Sequence, residues 1–277
     1  FPTRRSSDLG VLFMRTEYIG RSVWGRPLLC CCGGTGRRRA LFCAAFHGSE
    51  WITGLVLQQF LVRWQERPDW QRAAQLWAVP WVNPDGAALS MGRVPPWSLQ
   101  YAAALRIGGT SPGFPQTWKA NGRGVDLNLN YPADWCGAVR VKGVRGPAAR
   151  DYPGPCPLSE PESRAMARLA ERVRPDVLVT LHAQGEEIYW QYGGIEPPGA
   201  AALGEAMARA SGYRLAEVPP ESSRAGYKDW FLERLCRPGY TVECGLGENP
   251  LPLSQLAGIT ARVIPLLETA LLGECRL

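Results

Sequence analysis

Residues 39–50 read RALFCAAFHGSE, a short apolar run that ends in a histidine, with a glutamate three residues later. Other apolar runs of strand length cover residues 28–32, 76–82, 177–181 and 240–243. Segments with apolar residues at helical spacing alternate with these runs, at residues 53–67, 160–174 and 200–210. This alternation predicts a single α/β domain with a central mixed, largely parallel β-sheet and helices on both faces.

The connecting segments give more local predictions. The motif GGTGRR at residues 33–38 indicates a hairpin-like turn between the first two strands, and NPDG at residues 83–86 indicates a turn after the strand at residues 76–82. Ser159 is predicted to cap the helix at residues 160–174, with Glu162 as its capping-box partner. Residues 259–277 are expected to form a closing amphipathic helix. An uninterrupted apolar run of about 18 residues is absent from the sequence, so no membrane span is expected.

Composition narrows the class of protein. The 277-residue chain is 45% apolar and contains 11 tryptophans, which favours a substantial core over disorder. The net charge is +6, but the arginines are scattered rather than arranged in a basic stripe, so no nucleic-acid partner is expected. Nine cysteines, three of them adjacent at residues 30–32, lack the spacing of a disulfide framework. This favours a reducing compartment such as the cytoplasm, with secretion or association with the cell wall as the alternative.

The chain contains only two histidines, and each follows a strand candidate directly. His47 closes the run at residues 39–46, with Glu50 close behind it, and His182 closes the run at residues 177–181. Side chains at the carboxyl ends of neighbouring parallel strands converge on one crevice. Two imidazoles and one carboxylate, with a fourth position open to water, are the usual ligands of a catalytic zinc ion. His47, Glu50 and His182 are therefore predicted to hold one Zn²⁺ per chain, although a lone histidine at a strand end is more often structural.

Five motifs occur in the order and approximate spacing of one known enzyme family. They are HGSEW at residues 47–51, NPDG at 83–86, GVDLNLNYP at 124–132, LHAQGEEIYW at 181–190 and YTVECGLGENP at 240–250. With them the chain resembles, over residues 18–272, the zinc carboxypeptidases of the carboxypeptidase A type. It looks closest to the bacterial branch that cleaves the γ-D-glutamyl–diaminopimelate bond of peptidoglycan peptides. The resemblance implies a zinc metallopeptidase that hydrolyses an amide bond, with a muropeptide as its substrate.

The resemblance also implies roles in catalysis. Glu243 resembles the carboxylate that deprotonates the zinc-bound water and passes the proton to the leaving amine. Lys119, in the motif WKAN, stands where the family has an arginine that polarises the scissile carbonyl. A lysine keeps the positive charge but lacks the two-pronged guanidinium. Arg123 is the second candidate for this role.

Substrate-binding residues follow from the same resemblance. Asn128 is retained in the segment DLNLN, whereas Leu129 replaces the arginine with which the family grips a terminal carboxylate. This replacement argues against ordinary carboxypeptidase action on protein C-termini. Lys228 stands at the family's pocket-floor position and is expected to pair with a negatively charged side chain, such as the second carboxylate of diaminopimelate. A solvated surface lysine is the alternative, and Tyr227 is expected to contribute a hydroxyl nearby.

Two other functions are alternatives, although the motifs NPDG and ECGLGENP favour the peptidase. A zinc amidohydrolase that deacylates small acyl-amino acids would use the same metal ligands. A non-catalytic module that binds cell-wall peptides would keep the fold without turnover. The peptidase is expected to hydrolyse muropeptides and the deacylase to hydrolyse acyl-amino acids. The binding module is expected to bind muropeptides without hydrolysing them.

The first nine residues, FPTRRSSDL, look like the translation of a sequencing-adapter oligonucleotide. Residues 1–9 are therefore predicted to be foreign to the protein, and residues 10–277 to be the catalytic domain without its native N-terminus. A signal peptide or an upstream wall-binding module would have been lost with that N-terminus, so the absence of a targeting segment is uninformative.

Overall fold

The structure is a computed structural model that describes residues 14–219 and 224–273. Eight strands in this part of the chain form one sheet, in the order β1-β2-β4-β3-β5-β8-β6-β7. Their bounds are β1 Arg15–Arg21, β2 Pro27–Gly33, β3 Arg38–Ala44, β4 Ala74–Val79, β5 Val177–His182, β6 Glu187–Tyr189, β7 Arg214–Ala216 and β8 Gly239–Glu243. The predicted foreign segment at residues 1–9 lies outside the described residues.

The four central strands, β4, β3, β5 and β8, run parallel to one another. Antiparallel pairs flank them on both sides, β1–β2–β4 at one side and β8–β6 at the other, and β6 and β7 are again parallel. All of β5 and most of β3 are buried, as expected for strands that are covered on both faces. The prediction of a mixed, largely parallel sheet is confirmed.

Helices cover both faces of the sheet. In the described residues they are α1 Ile52–Gln65, α2 Pro68–Ala73, α3 Pro84–Ser90, α4 Leu99–Gly108, α5 Trp135–Lys142, α6 Pro161–Val173, α7 Ala200–Ser211, α8 Tyr227–Leu235 and α9 Leu256–Leu272. Successive side chains of a strand point to opposite faces. Phe42 of β3 accordingly packs in a core layer with α1, α2, α7 and α9, whereas Leu41 and Cys43 pack in a second layer with α6 and α8.

The predicted hairpin between the first two strands is wrong. β2 and β3 do not pair, because β4 lies between them and bonds to both. The glycines of the connecting segment serve a close backbone approach instead of a hairpin turn. A Cβ at Gly34 would lie 2.2 Å from the carbonyl oxygen of Ala74, and one at Gly36 would lie 2.1 Å from the carbonyl carbon of Ala73. The segment therefore crosses the beginning of β4.

Two predicted turn and cap details are also wrong. The motif NPDG does not form a free turn but begins α3, with Asn83 as its N-cap. The helix α6 begins at Pro161 with Glu160 as its N-cap, and Ser159 instead donates its hydroxyl proton to the Glu160 carboxylate. Glu162 does not complete a capping box, because its carboxylate accepts hydrogen bonds from distant segments of the chain.

The predicted closing helix is present as α9, and residues 274–277 lie outside the described part. By length and mean hydropathy, residues 253–272 could cross a membrane, contrary to the expectation from the sequence that no such segment exists. In the fold α9 packs against α1 and α7, and residues such as Val263, Leu266 and Leu267 are fully buried in the core. This packing accounts for the apolar residues on the buried face of α9.

The cysteines of the described segments are free thiols. Cys30 and Cys32 of β2 are buried, while Cys31 between them is half-buried, so the three adjacent thiols alternate between the faces of the strand. The arrangement agrees with the prediction that they do not form a disulfide framework.

Candidate active site and metal centre

Predicted site residues lie at or just after the ends of three neighbouring parallel strands, at one edge of the sheet. His47 follows β3 after two buried residues, His182 is the last residue of β5, and Glu243 is the last residue of β8. His182 and Glu243 are paired in register across β5 and β8. Because the carboxyl ends of parallel strands meet at the same edge, residues 47, 182 and 243 come together although they are far apart in the sequence.

Glu50 reaches this edge through one tight turn. Residues Gly48–Glu50 form a single 3₁₀ turn directly after His47. A Cβ at Gly48 would lie 2.5 Å from the carbonyl carbon and oxygen of Gly86 and 2.6 Å from the carbonyl oxygen of Trp118. Only glycine allows this close approach, which holds the turn against α3 and directs the Glu50 side chain toward the histidines.

His47, Glu50 and His182 form one buried cluster. His47 Nδ1 lies 2.8 Å from Glu50 Oε1, and His182 Nδ1 lies 3.0 Å from Glu50 Oε2. One potential ligand atom from each of the three residues lies within 4.8 Å of the other two. Two nitrogens and a carboxylate facing each other in this way are a donor set that fits Zn²⁺. The three residues can therefore hold the metal that the sequence predicts.

Asp126 is part of this cluster and was missed by sequence reasoning. Its Oδ1 lies 3.0 Å from His47 Nε2, the ring nitrogen that faces away from Glu50. Burial alone would raise the pKa of Asp126, but the charge of His47 and its hydrogen bond outweigh burial and hold the pKa well below its usual range. A carboxylate on the outer nitrogen of a ligand histidine orients the ring and raises its basicity. The sequence feature that could have indicated Asp126 is its position at the start of the DLNLN segment.

Glu243 borders the same cavity as the three cluster residues. Burial raises the pKa of Glu243 and the negative charge of Glu50 adds to this effect, so that the pKa reaches about 8 even though Lys119 and His47 oppose it. A carboxyl group with a pKa near neutrality exchanges protons readily at physiological pH. The position of Glu243 beside the proposed metal ligands suits a general base, and a bound zinc ion would oppose the rise in its pKa.

Lys119 lies beside the cluster, with its Nζ 3.2 Å from Glu50 Oε1. Burial disfavours its ammonium form, but the charges of Glu50 and Asp126 outweigh burial and raise the pKa of Lys119. Arg123, the second candidate for the same role, pairs with Glu160 at 3.5 Å and is absent from the residues that border the cavity. The structure thus brings Lys119 to the cluster and leaves Arg123 outside it.

The cavity has a volume of about 590 Å³, and its walls contain most of the predicted substrate-binding positions. Asn128 and Lys228 border it, as does Leu129. Tyr227 does not, because it is fully buried and its hydroxyl donates to the carbonyl oxygen of Met166 in the core. Lys142 and Arg150 border the cavity as well, and sequence reasoning did not single them out.

The sequence profile of the zinc carboxypeptidase family matches residues 12–257 of the chain. The gamma-D-glutamyl-L-diamino acid endopeptidase 1 of Lysinibacillus sphaericus is 36% identical over 255 residues, which cover 88% of this chain and 63% of that relative. The murein peptide amidase A of Escherichia coli (strain K12) is 29% identical over 214 residues, which cover 75% of this chain and 72% of that relative.

A likeness of fold extends to solved structures. Bovine thrombin-activatable fibrinolysis inhibitor, in its complex with tick carboxypeptidase inhibitor, superimposes with a TM-score of 0.73. The superposition covers 93% of this chain and 89% of that chain at 17% identity, so the likeness concerns the fold. With the family profile matching most of its length, this chain belongs to the zinc carboxypeptidase family, whose cofactor is zinc.

Proposed function

We propose that the chain is a zinc-dependent metallopeptidase that hydrolyses an amide bond in peptidoglycan-derived peptides, with the γ-D-glutamyl–diaminopimelate bond as its target. The observation that carries this proposal is the buried cluster of His47, Glu50 and His182, whose ligand atoms lie within 4.8 Å of one another. Glu243 and Lys119 border the same cavity, so a base and a cation are available beside the proposed metal ligands.

The choice of substrate is supported by the relatives and by one replacement in the chain. The names of the two relatives refer to a γ-D-glutamyl-L-diamino acid bond and to murein peptides. Leu129 borders the cavity where the carboxypeptidases of the resemblance carry a carboxylate-gripping arginine. A leucine cannot pair with a terminal carboxylate, which disfavours ordinary C-terminal trimming of proteins.

The roles of the residues follow from their positions. His47, Glu50 and His182 would hold zinc, which supplies a Lewis acid that acidifies water and polarises a carbonyl. Glu243 accepts a proton from the attacking water and later donates it to the leaving amine. The Lys119 ammonium stabilises the negative charge that develops on the carbonyl oxygen. Asn128 accepts a hydrogen bond from the backbone N–H of Tyr227 through Oδ1, an orientation that leaves its NH₂ group to donate to the substrate.

Replacing Glu243 by glutamine tests the general-base assignment. Glu243→Gln removes the proton acceptor but leaves the three proposed ligands in place, so we expect a fall in kcat of about 10²–10⁴-fold or more on L-Ala-γ-D-Glu-diaminopimelate. Zinc content, measured by elemental analysis after gel filtration, should stay near one per chain. Substantial remaining activity would contradict the assignment.

Glu248→Gln is the matched control, because Glu248 borders the same cavity but is exposed. We expect its kcat to stay close to that of the unmodified chain. A panel of acyl-amino acids run beside the muropeptide decides between the peptidase and a deacylase. Preferential hydrolysis of the acyl-amino acids would overturn the proposed substrate class.

A further inference from the structure

Lys228 and Asp229 form a buried ion pair in the wall of the active-site cavity. The distance from Lys228 Nζ to Asp229 Oδ1 is 2.8 Å, and the two side chains are 5% and 4% exposed. Both residues border the cavity that contains the proposed zinc ligands. In the other Lys and Arg ion pairs found within residues 14–219 and 224–273, at least one side chain is 20% exposed or more. The Lys228–Asp229 pair is therefore more deeply buried than the other Lys and Arg ion pairs in the described residues.

Each member of the pair has unused hydrogen-bonding capacity. The Lys228 ammonium carries three N–H donors; one is given to the carbonyl oxygen of Gln191 at 2.6 Å, and a second faces Asp229. Asp229 Oδ1 is buried and makes no well-aligned hydrogen bond within the described part of the chain, although Lys228 is close to it. A buried carboxylate normally accepts several hydrogen bonds. Asp229 Oδ1 thus has no well-aligned donor, and the Lys228 ammonium has an N–H beyond those directed at Gln191 and Asp229.

Asp229 lies in the first turn of α8, where a carboxylate is favourable, but the buried ion pair itself adds little net stability. Removing two charges from water costs about as much as their mutual attraction returns, and apolar side chains of similar size would stabilise the same site at least as well. A desolvated pair in a cavity wall is instead suited to a ligand that carries both charges. In such a site a carboxylate contacts the ammonium of Lys228 while an ammonium contacts Asp229.

We propose that Lys228 and Asp229 together form the binding site for an α-amino carboxylate group at the end of the substrate's side chain. This inference rests on the proposed function and specifies its substrate class. The far end of diaminopimelate is such a group, with a carboxylate and an ammonium on one carbon. Lysine has the ammonium alone, and 2-aminopimelate has the carboxylate alone. In this site Lys228 binds the carboxylate and Asp229 binds the ammonium.

Four dipeptides of matched length test this assignment: γ-D-glutamyl conjugates of meso-diaminopimelate, L-lysine, L-2-aminopimelate and L-norleucine. Their dissociation constants are measured by calorimetry with zinc-loaded Glu243→Gln protein, so that binding is observed without turnover. We expect the diaminopimelate peptide to bind about tenfold or more tightly than each of the other three, because it alone satisfies both charges.

Single variants in the same background separate the two charges. Lys228→Met should weaken binding of the diaminopimelate and 2-aminopimelate peptides by about tenfold or more and leave the lysine and norleucine peptides unweakened. Asp229→Asn should weaken the diaminopimelate and lysine peptides and leave the other two unweakened. The double variant Lys228→Met/Asp229→Leu removes both charges, and we expect it to bind the norleucine peptide most tightly.

Arg234→Met on the same helix is the control, since Arg234 pairs with Glu171 at the surface. If Asp229→Asn weakens all four peptides equally, Asp229 is only the counter-ion of Lys228 and the proposal is overturned. The same conclusion follows if the diaminopimelate and norleucine peptides bind the unmodified site equally.

Hydrolysis is measured separately with the wild-type chain. If none of the four peptides is cleaved, the proposed function fails, while the pattern of dissociation constants still decides the binding site.

Discussion

Glu50 connects the two histidines, because each of its carboxylate oxygens faces one imidazole. Lys119 approaches the same carboxylate, and Asp126 holds the opposite side of His47. Burial would lower the pKa of His47, but Glu50 and Asp126 outweigh it and raise the pKa to about 9. Without zinc, His47 therefore carries a proton on Nδ1, the ring nitrogen that faces Glu50, and zinc binding must displace that proton.

Asp126 should control zinc affinity without touching the metal. Asp126→Ala removes the acceptor that orients His47, so we expect zinc to bind about 10–100-fold more weakly. Asp126→Asn keeps an oxygen acceptor but loses the charge, and we expect a smaller loss. Zinc dissociation constants are measured by competition with a chelator.

The control for this experiment is Asp134→Ala. Asp126 caps the 3₁₀ turn Leu127–Leu129 by accepting from Asn128 N, and Asp134 likewise caps α5 by accepting from Gly137 N, but Asp134 does not border the cavity. We expect its zinc affinity to match that of the unmodified chain. Equal affinities for the wild-type chain and both Asp126 variants would show that Asp126 does not act on His47.

Sequence reasoning identified the residues that follow strongly patterned segments. His47, His182 and Glu243 each stand at the end of a buried apolar run, and the parallel sheet brings such ends together. Asp126 lies in a loop, 79 residues from its partner His47, so no periodicity indicates the contact. The inward direction of Tyr227 depends on the orientation of α8 against the core, which local sequence does not determine.

Helix α3 connects the two parts of the chain that carry the site. Its N-cap Asn83 is fully buried, and its Oδ1 accepts from Gly86 N at 2.8 Å. Its NH₂ group lies 3.1 Å from the carbonyl oxygen of Phe46, 3.2 Å from that of Lys119 and 3.0 Å from that of Ala120. Asn83 therefore joins the segment before His47 to the segment that contains Lys119.

The variant Asn83→Asp separates this bridging role from helix capping. Aspartate caps helices as well as asparagine does, so capping alone predicts little change. An aspartate, however, places a carboxylate against three carbonyl oxygens, and we expect a loss of roughly 2–4 kcal/mol in the free energy of unfolding. Urea denaturation measures this loss, with Asn83→Ala for comparison. A stability within about 0.5 kcal/mol of the wild-type chain would show that the bridge contributes nothing.

At the scale of elements, the four longest helices and the five strands from β2 to β8 in the sheet order could be predicted, but the other elements and the neighbours of each strand could not. Apolar runs marked β3, β5 and β8 because these strands are covered on both faces. The hairpin prediction failed because β3 pairs with β4, a strand that is 30 residues further along the chain. Pairing of this kind depends on the packing of α1 and α2, and the glycine-rich sequence at residues 33–38 does not indicate it.

At the scale of the whole molecule, three buried carboxylates connect the sheet edge, α3 and α6. Asp85 accepts from Ser22 Oγ and Trp24 N, and Glu162 accepts from Val23 N at 3.0 Å. Glu160 and Glu162 both accept from Asn121 Nδ2, two residues after Lys119. The cluster thus fastens the segment after β1 to the loop that supplies a proposed catalytic residue, and its protonation affects the stability of the fold.

Glu162 should contribute a part of the protein's stability that decreases as the pH rises. Burial raises the pKa of Glu162 to about 7, and the charge of Asp85 adds to the rise, whereas the usual value is 4.5. Between these two values the folded chain keeps a proton that the unfolded chain releases. The contribution of Glu162 to the free energy of unfolding is therefore fully present below pH 4.5. It decreases as the pH rises to about 7 and is constant above that.

The comparison with Glu162→Gln isolates this component from the other titrating groups. The amide keeps an acceptor for Val23 N but places its NH₂ group toward Asn121 Nδ2, a cost that does not vary with pH. We expect the unfolding free energy of the wild-type chain to fall by about 2–3 kcal/mol relative to the variant between pH 4.5 and 7. Urea denaturation at several pH values, with saturating zinc above pH 6 and with chelator throughout a second series, measures the difference. Parallel pH profiles for the two chains in both series would mean that Glu162 is already ionised in the folded protein, because a group with the same pKa in both states contributes no slope.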